Sequence, residues 1–199
     1  MDIQKKTDWQ FPFSLPFSLE TGLCEGASPT VRHLSAMAGM YADEDAFARM
    51  PNKETTPVYA FYELDAPRHA GDLAFGTSIT YPGRVGDEYF MTKGHFHTVL
   101  ETAEVYWCVR GEGFLLMESP EGDVRLERLV PGAAVYVPKR YAHRSINTGS
   151  DPMVTFFVFR ADAGHDYGTI EQKGFRKLVV AREGNPVMID NPKWRETVT

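Results

Sequence analysis

The sequence predicts an all-β fold, an antiparallel sandwich or barrel, and three observations carry the prediction. From Val58 onward, short runs of β-branched and aromatic residues recur. Gly, Pro and Asp punctuate them, with Gly111-Glu112-Gly113 and Pro120-Glu121-Gly122-Asp123 placed where hairpin turns are expected. Many short strands at this spacing favour an antiparallel architecture over a βαβ fold.

Residues 1–27 are rich in Phe, Pro and Ser and read as an extended N-terminal arm, because prolines so placed cannot hold a helix. Their aromatics need cover, on the body of the protein or on a neighbouring subunit. Residues 28–199 read as a single domain that opens with a helical segment. Ser28 can cap a helix with Pro29 at its first position, and Val31, Leu34 and Met37 follow at helical spacing, so a helix is predicted within 28–41. A second short helix is predicted near 43–50, its acidic start Asp43-Glu44-Asp45 favoured by the helix dipole and solvated. Strands are predicted over 58–64, 73–80, 88–92, 105–109, 114–118, 124–129, 134–137, 145–148, 154–160 and 177–181, followed by a polar surface tail. There is no internal repeat or low-complexity tract.

The formal net charge of -6 argues against a nucleic-acid partner, which calls for a basic surface. A small anionic ligand remains compatible, since local donors outweigh the average charge within roughly 8 Å. No run of about 18 apolar residues is present, so no membrane span is predicted. The N-terminus, broken by Asp8, Pro12 and Pro16, does not read as a secretory signal. Two distant cysteines, Cys24 and Cys108, favour a reducing cytoplasm over a disulfide scaffold.

Two of the six histidines fall in the tripeptide His95-Phe96-His97. Residues two apart on an extended segment share a face, so both imidazoles can reach one ion at about 2.1 Å. Glu101 and Glu104 follow as candidate carboxylates, and His143 lies beyond a Gly-x5-Pro turn. Imidazoles with one carboxylate suit a divalent first-row metal such as iron, manganese, nickel or zinc. His33 and His69 read as surface groups.

The segment from Gly86 to Gly111 resembles the first cupin motif, with paired histidines, a glutamate seven residues before the closing glycine and that glycine. Gly132, Pro138, His143 and Asn147 match the second cupin motif, with one departure: Arg140 stands where a turn glycine is usual, which puts the local backbone in doubt. The resemblance implies a double-stranded β-helix, or jelly-roll barrel, binding a metal through His95, His97, Glu104 and His143. The short gap usual in cupins favours Glu101, but Glu104 opens the strand EVYWCVRG, whereas Glu101 lies in the polar segment TVLETA. Glu104 is therefore the expected ligand.

A narrower resemblance runs from Leu19 to Pro192. ETGLCEGA, YPGRVGDE, TKGHFH, AEVY, PEGD, VYVP, AHR, ADAGHDYGTIEQKGF and DNPKW are similar to the cupin-type glucose-6-phosphate isomerases. That family interconverts glucose 6-phosphate and fructose 6-phosphate, in glycolysis or gluconeogenesis, with one divalent metal per subunit. The resemblance implies ferrous iron first, with Mn2+, Ni2+ or Zn2+ as alternatives, and a homodimer.

An aldose–ketose exchange needs a base beside C2 and stabilisation of a cis-enediol-type intermediate. Glu104 is the expected base, although a hydride shift stays open. His165 is expected to act in ring opening. Tyr59, Ser78, Thr92 and Gly94 are the expected phosphate and sugar contacts by similarity, Ser78 standing where Thr is usual. Thr77, Thr80 and Lys93 lie nearby. Tyr167 is expected to cap the pocket and Tyr106 to point inward beside Glu104, as a substrate contact or as core packing. Trp107 and Cys108 read as packing. The rival readings are another cupin metalloenzyme, an oxygenase or a mannose-6-phosphate isomerase, and a sugar-phosphate sensor without turnover.

Overall fold

The computed structural model describes residues 9–64 and 66–195; residues 1–8 of the expected arm, together with 65 and 196–199, lie outside the described residues. The helix expected within 28–41 does not form. Strand β1 (Thr30–His33) runs antiparallel to β2 (Pro57–Glu63), with Arg32 opposite Tyr59, and a single 3-10 turn (Leu34–Met37) follows. Sheet pairing across almost thirty residues satisfies the backbone that a helix would have satisfied locally. Leu34 and Met37, three residues apart, eclipse on the tight turn and are both fully buried. The second helix forms as expected: α1 (Glu44–Arg49) is capped by Asp43, whose carboxylate accepts from the Ala46 N–H at 2.7 Å.

The strands that follow are β3 (Leu73–Thr80), β4 (Arg84–Val85), β5 (Glu88–Tyr89), β6 (Glu104–Arg110), β7 (Gly113–Glu118), β8 (Val124–Leu129), β9 (Ala134–Val137), β10 (Ala142–Asn147) and β11 (Met153–Arg160). Helix α2 (Gly168–Lys173) and the hairpin of β12 (Lys177–Arg182) with β13 (Asn185–Asp190) complete the chain. The polar tail is thus partly a strand. Pro186 hides it, because proline is tolerated in β13 only at a sheet edge, which is where β13 lies.

The strands form an antiparallel all-β barrel of the jelly-roll kind. A six-stranded sheet, ordered β1-β2-β3-β11-β6-β9, faces a three-stranded sheet, β10-β7-β8, while β13-β12-β5-β4 covers the outside of the smaller one. Pro120–Asp123 closes the β7–β8 hairpin as expected. Gly111-Glu112 does not close a hairpin: β6 and β7 belong to opposite sheets, and the turn carries the chain between them. Gly111 is required there, with φ of 76° and a Cβ position only 2.7 Å from the Met153 Cα and the Pro152 carbonyl oxygen.

Strand β10 is buried along its whole length because both of its faces are covered. Ala142 and Ile146 pack outward with Leu116, Phe175 and Val179, while His143, Ser145 and Asn147 alternate onto the inner face. A polar sequence, AHRSIN, therefore fills a fully interior strand, which is why its start was misplaced at 145. The far end of the barrel is filled by Cys108, Leu115, Leu129, Val137 and Met153.

The described part of the arm folds back on its own barrel. Trp9 and Phe13 pack on Phe75, and Phe17 meets Phe156 edge-on at 5.6 Å. Along β6, Val105 and Trp107 face out while Tyr106 and Cys108 face in. Trp107 is 52% exposed, so its expected packing role is corrected: strand alternation sends it to solvent. Among the described residues no helix is long and apolar enough to cross a membrane.

Arg140, the departure from the second motif, keeps the left-handed turn with φ of 71°. Its N–H donates to the Leu100 carbonyl at 2.7 Å, and its guanidinium meets Glu121 at 2.8 Å on the surface. A side chain in this region costs about 1–2 kcal/mol, partly offset by the smaller unfolded-state entropy of arginine relative to glycine. Arg140→Gly is expected to raise the melting temperature by about 2–4 °C in a thermal scan. A fall would mean that the surface ion pair outweighs the backbone strain.

Candidate active site

The His95-Phe96-His97 tripeptide is extended, but only isolated bridges hold it. On one side His95 and His143 exchange both main-chain hydrogen bonds, at 3.3 and 3.1 Å. On the other, Phe96 and Asp166 do the same, at 3.2 and 2.8 Å. The extended geometry turns both imidazoles inward and sends Phe96 into the core against Leu116 and Phe175. Gly94 makes the approach possible. Its φ is 77°, and a Cβ there would stand 2.7 Å from the Phe175 ring and 3.0 Å from the His143 carbonyl oxygen.

His95, His97, Glu104 and His143 are all buried, and one ligand atom from each lies within 4.8 Å of the others. Glu104 opens β6, opposite Phe159 on β11 and Val137 on β9. Glu101, the other candidate, is exposed and pairs with Lys139 and Arg140.

The protonation pattern of the centre follows from its neighbours. The Thr102 hydroxyl gives its proton to the Val99 carbonyl at 2.7 Å, so toward His97 Nδ1, also at 2.7 Å, it can only accept. That places the His97 ring proton on Nδ1 and leaves the Nε2 lone pair facing the centre. His143 Nδ1 faces the Tyr141 carbonyl at 3.3 Å, with the same consequence. With both rings neutral, the Nε2 atoms meet Glu104 Oε2, at 3.0 and 2.9 Å, as acceptor against acceptor, whereas an added ring proton donates to the carboxylate. The Nε2 atoms of His95 and His143 have no hydrogen-bond partner. Such a set is stable only with a cation or an extra proton between its members, and the donor types fit a divalent metal.

Burial pushes the Glu104 carboxyl up, but the imidazoles of His143, His97 and His95 outweigh it and hold it well below the usual carboxylate range. Burial, reinforced by the neighbouring His143 and His165 rings, pushes His95 far below the usual imidazole range. Burial likewise pushes His165 down to about 4. Tyr106 is raised by burial and by the carboxylate of Glu104, to which its hydroxyl donates.

A cavity of about 250 Å³ opens onto this centre. It brings together every expected contact: Tyr59 from β2, Ser78 from β3, Thr92 and Gly94 from the bridge segment, Tyr106 from β6, and His165 and Tyr167 from the loop before α2. His165 lies edge-on to His95, with centroids 4.5 Å apart, and stacks on Tyr167. Thr77 and Thr80 do not line the cavity; Thr77 instead donates to the Gly22 carbonyl. Cys108 is fully buried and its thiol is pushed up to about 11 by burial, so it is chemically quiet.

Sequence reading missed Arg32, Phe61, Glu63, Phe157 and Phe159, which also line the cavity. Extending the alternation from Tyr59 along β2 finds Phe61 and Glu63, and β11 offers Phe157 and Phe159 in the same way. Arg32 was lost with the misread helix, and Thr102 carries no local signal.

Residues 31–195 match the family described as Glucose-6-phosphate isomerase (GPI). The glucose-6-phosphate isomerase of Thermococcus litoralis is 47% identical over 184 residues, spanning 92% of this chain and 97% of that protein. That of Pyrococcus furiosus is 45% identical, over 93% and 98% of the two chains, and that of Sinorhizobium medicae 38%, over 93% and 88%. Among solved structures, oxalate oxidase aligns with a TM-score of 0.48 at 15% identity, over 63% of this chain and 60% of its own. By the extent of these family and sequence matches, the chain belongs to the glucose-6-phosphate isomerase family.

Proposed function

We propose that the protein interconverts glucose 6-phosphate and fructose 6-phosphate, using one divalent metal ion per subunit held by His95, His97, Glu104 and His143. The observation that carries the reading is the convergence of these four ligand atoms beside a cavity that three of them, His95, Glu104 and His143, help to line together with hydroxyls and two cations. When bound, the metal supplies Lewis acidity to the sugar's carbonyl and hydroxyl oxygens. Ferrous iron is placed first, with manganese, nickel and zinc as alternatives.

The chain's own residues supply the proton transfers. His165, uncharged at neutral pH, takes the O1 proton of the pyranose. As the C1=O bond forms, the C1–O5 bond breaks and O5 receives a proton. Glu104 then removes hydrogen from C2 as a proton, and the C2–H electrons form the C1=C2 bond of a cis-enediol while O1 is protonated. The proton gained at O1 is the one lost from the neighbouring O2, and the C2 carbonyl forms as the C1=C2 electrons take the proton of Glu104 at C1. The Tyr106 hydroxyl, hydrogen-bonded to Glu104, orients the carboxylate. Tyr59, Ser78, Thr92, Gly94 and Tyr167 position the sugar and its phosphate. Phe157 and Phe159 keep water from the enediol.

A homodimer and a cytoplasmic setting belong to the same proposal. Trp107 and Tyr136, 52% and 62% exposed on adjacent strands, offer apolar surface to a second copy. Cys24 and Cys108 are free buried thiols, consistent with a reducing compartment.

Three measurements test the proposal. Purified protein is expected to convert fructose 6-phosphate to glucose 6-phosphate, to lose turnover on chelation and to regain it with iron, manganese, nickel or zinc. No turnover with any metal, in a folded and metal-loaded protein, would sink it. Glu104→Gln is expected to keep the fold by circular dichroism and lower kcat by about 100-fold or more at matched metal content. A near-normal rate in that variant removes Glu104 from the role of base. Thr102→Val removes the nearer partner of the His97 ring, leaving only the Thr102 carbonyl at 3.3 Å, and is expected to weaken metal affinity about tenfold in a chelator competition.

A further inference from the structure

We infer that Arg32 recognises the dianionic phosphate at the outer end of this cavity and so determines selectivity for phosphorylated over neutral sugars. The identity of the ligand rests on the isomerase reading; the placement of the charge does not.

Four observations support the assignment. Arg32 sits directly opposite Tyr59 in the β1–β2 register, so both side chains project from the same face of the sheet. That face is the cavity wall: Arg32, Tyr59, Phe61 and Glu63 all line it. The guanidinium lies 6.0 Å from the centre of the Phe61 ring, which gives it a shelf without neutralising it. It also faces the Tyr59 hydroxyl, to which the Lys93 N–H is likewise directed, so Arg32, Tyr59 and the 92–94 segment form one continuous edge.

The other cation of the cavity, Lys93, is already committed. Its ammonium is held by Glu171 at 2.6 Å. Among the described residues no carboxylate forms an ion pair with Arg32, whose side-chain partner is the neutral Tyr59 hydroxyl. The remaining donors at this end, Tyr59, Ser78, Thr92 and the Gly94 backbone, are neutral. They can bind phosphate oxygens but cannot by themselves distinguish two negative charges from none. A planar guanidinium can bind two phosphate oxygens at once, and its exposed position on the cavity wall lets it do so without first breaking an ion pair.

The test uses the full chain and 1,5-anhydroglucitol 6-phosphate, a hexose phosphate with no anomeric hydroxyl and therefore no reaction. Arg32→Gln is expected to weaken its calorimetric affinity about 10- to 100-fold. The KM for fructose 6-phosphate should rise by the same factor with kcat within twofold, the pattern of binding lost equally from ground and transition states. Arg32→Lys should recover part of the loss, as a point charge without the fork. Affinity and KM within threefold of the unmodified protein in Arg32→Gln would overturn the inference. So would a lowered kcat and melting temperature at constant KM, which would mark Arg32 as structural. Analogue binding without turnover by the unmodified protein would remove the isomerase reading, while the variant's affinity would still decide the role of Arg32. Absence of analogue binding by the unmodified protein would overturn both.

Discussion

The reciprocal main-chain hydrogen bonds between His95 and His143 are the constraint on which the site depends. They join two candidate ligands, 48 residues apart in sequence, through backbone rather than through side chains. The pairing continues along β10: Thr92 N–H donates to the Ser145 carbonyl at 2.9 Å, and Asn147 N–H donates to the Phe90 carbonyl at 3.0 Å. On its other edge the same stretch pairs with the loop carrying His165, through Phe96–Asp166 and Val99–Ala163. One extended segment, held on both sides, therefore sets the positions of Thr92, Gly94, His95 and His97 together. Its tight contact with β10 and Phe175 leaves no space for a side chain at Gly94.

The outer face of β10 supports that segment electrostatically. Arg144, buried beneath it, donates to the Lys93 carbonyl and stacks on Phe175 with its guanidinium 4.5 Å from the ring centre. Burial pushes its pKa down to about 10, moderated by Glu88 and Tyr41, so it stays charged at neutral pH. A buried arginine is tolerable only with such partners, because desolvation alone would cost several kcal/mol. The neighbouring Glu118 is equally enclosed, accepting from both the backbone N–H and the guanidinium of Arg176 at 2.6 Å. These interior charges tie the C-terminal hairpin and α2 to the back of the barrel, and α2 follows directly from Tyr167 at the mouth of the cavity.

The inner face of β10 and the strands opposite it divide the interior into a packed end and a polar end. Cys108, Leu115 and Leu129 fill the first, whereas Glu104 and the three histidines gather in the second. The division runs through single strands: Glu104 and Cys108 lie on the same face of β6, four residues apart. A carboxylate and three imidazoles so deep in the barrel would be costly unless they served one another or a shared ion.

The local chemistry of this protein was legible in its sequence. Alternation along β6 predicted that Glu104 and Tyr106 face inward, and strands β3, β8 and β9 stand where the residue pattern placed them. The pairing of the two imidazoles was legible as well, since His95 and His97 share a face in any extended backbone. Tertiary structure alone decided which partners each segment found. Residues 30–33 became a strand because β2 was available to pair with them, and that choice carried Arg32 to the cavity. The same is true of Glu101 and Glu104, which only the barrel separates into a surface ion pair and a buried carboxylate among three histidines. Side-chain direction along a strand is a property of neighbouring bonds and can be read from residues in order. Sheet pairing joins residues far apart in the chain, and its energy depends on surfaces that exist only once the other strands are in place.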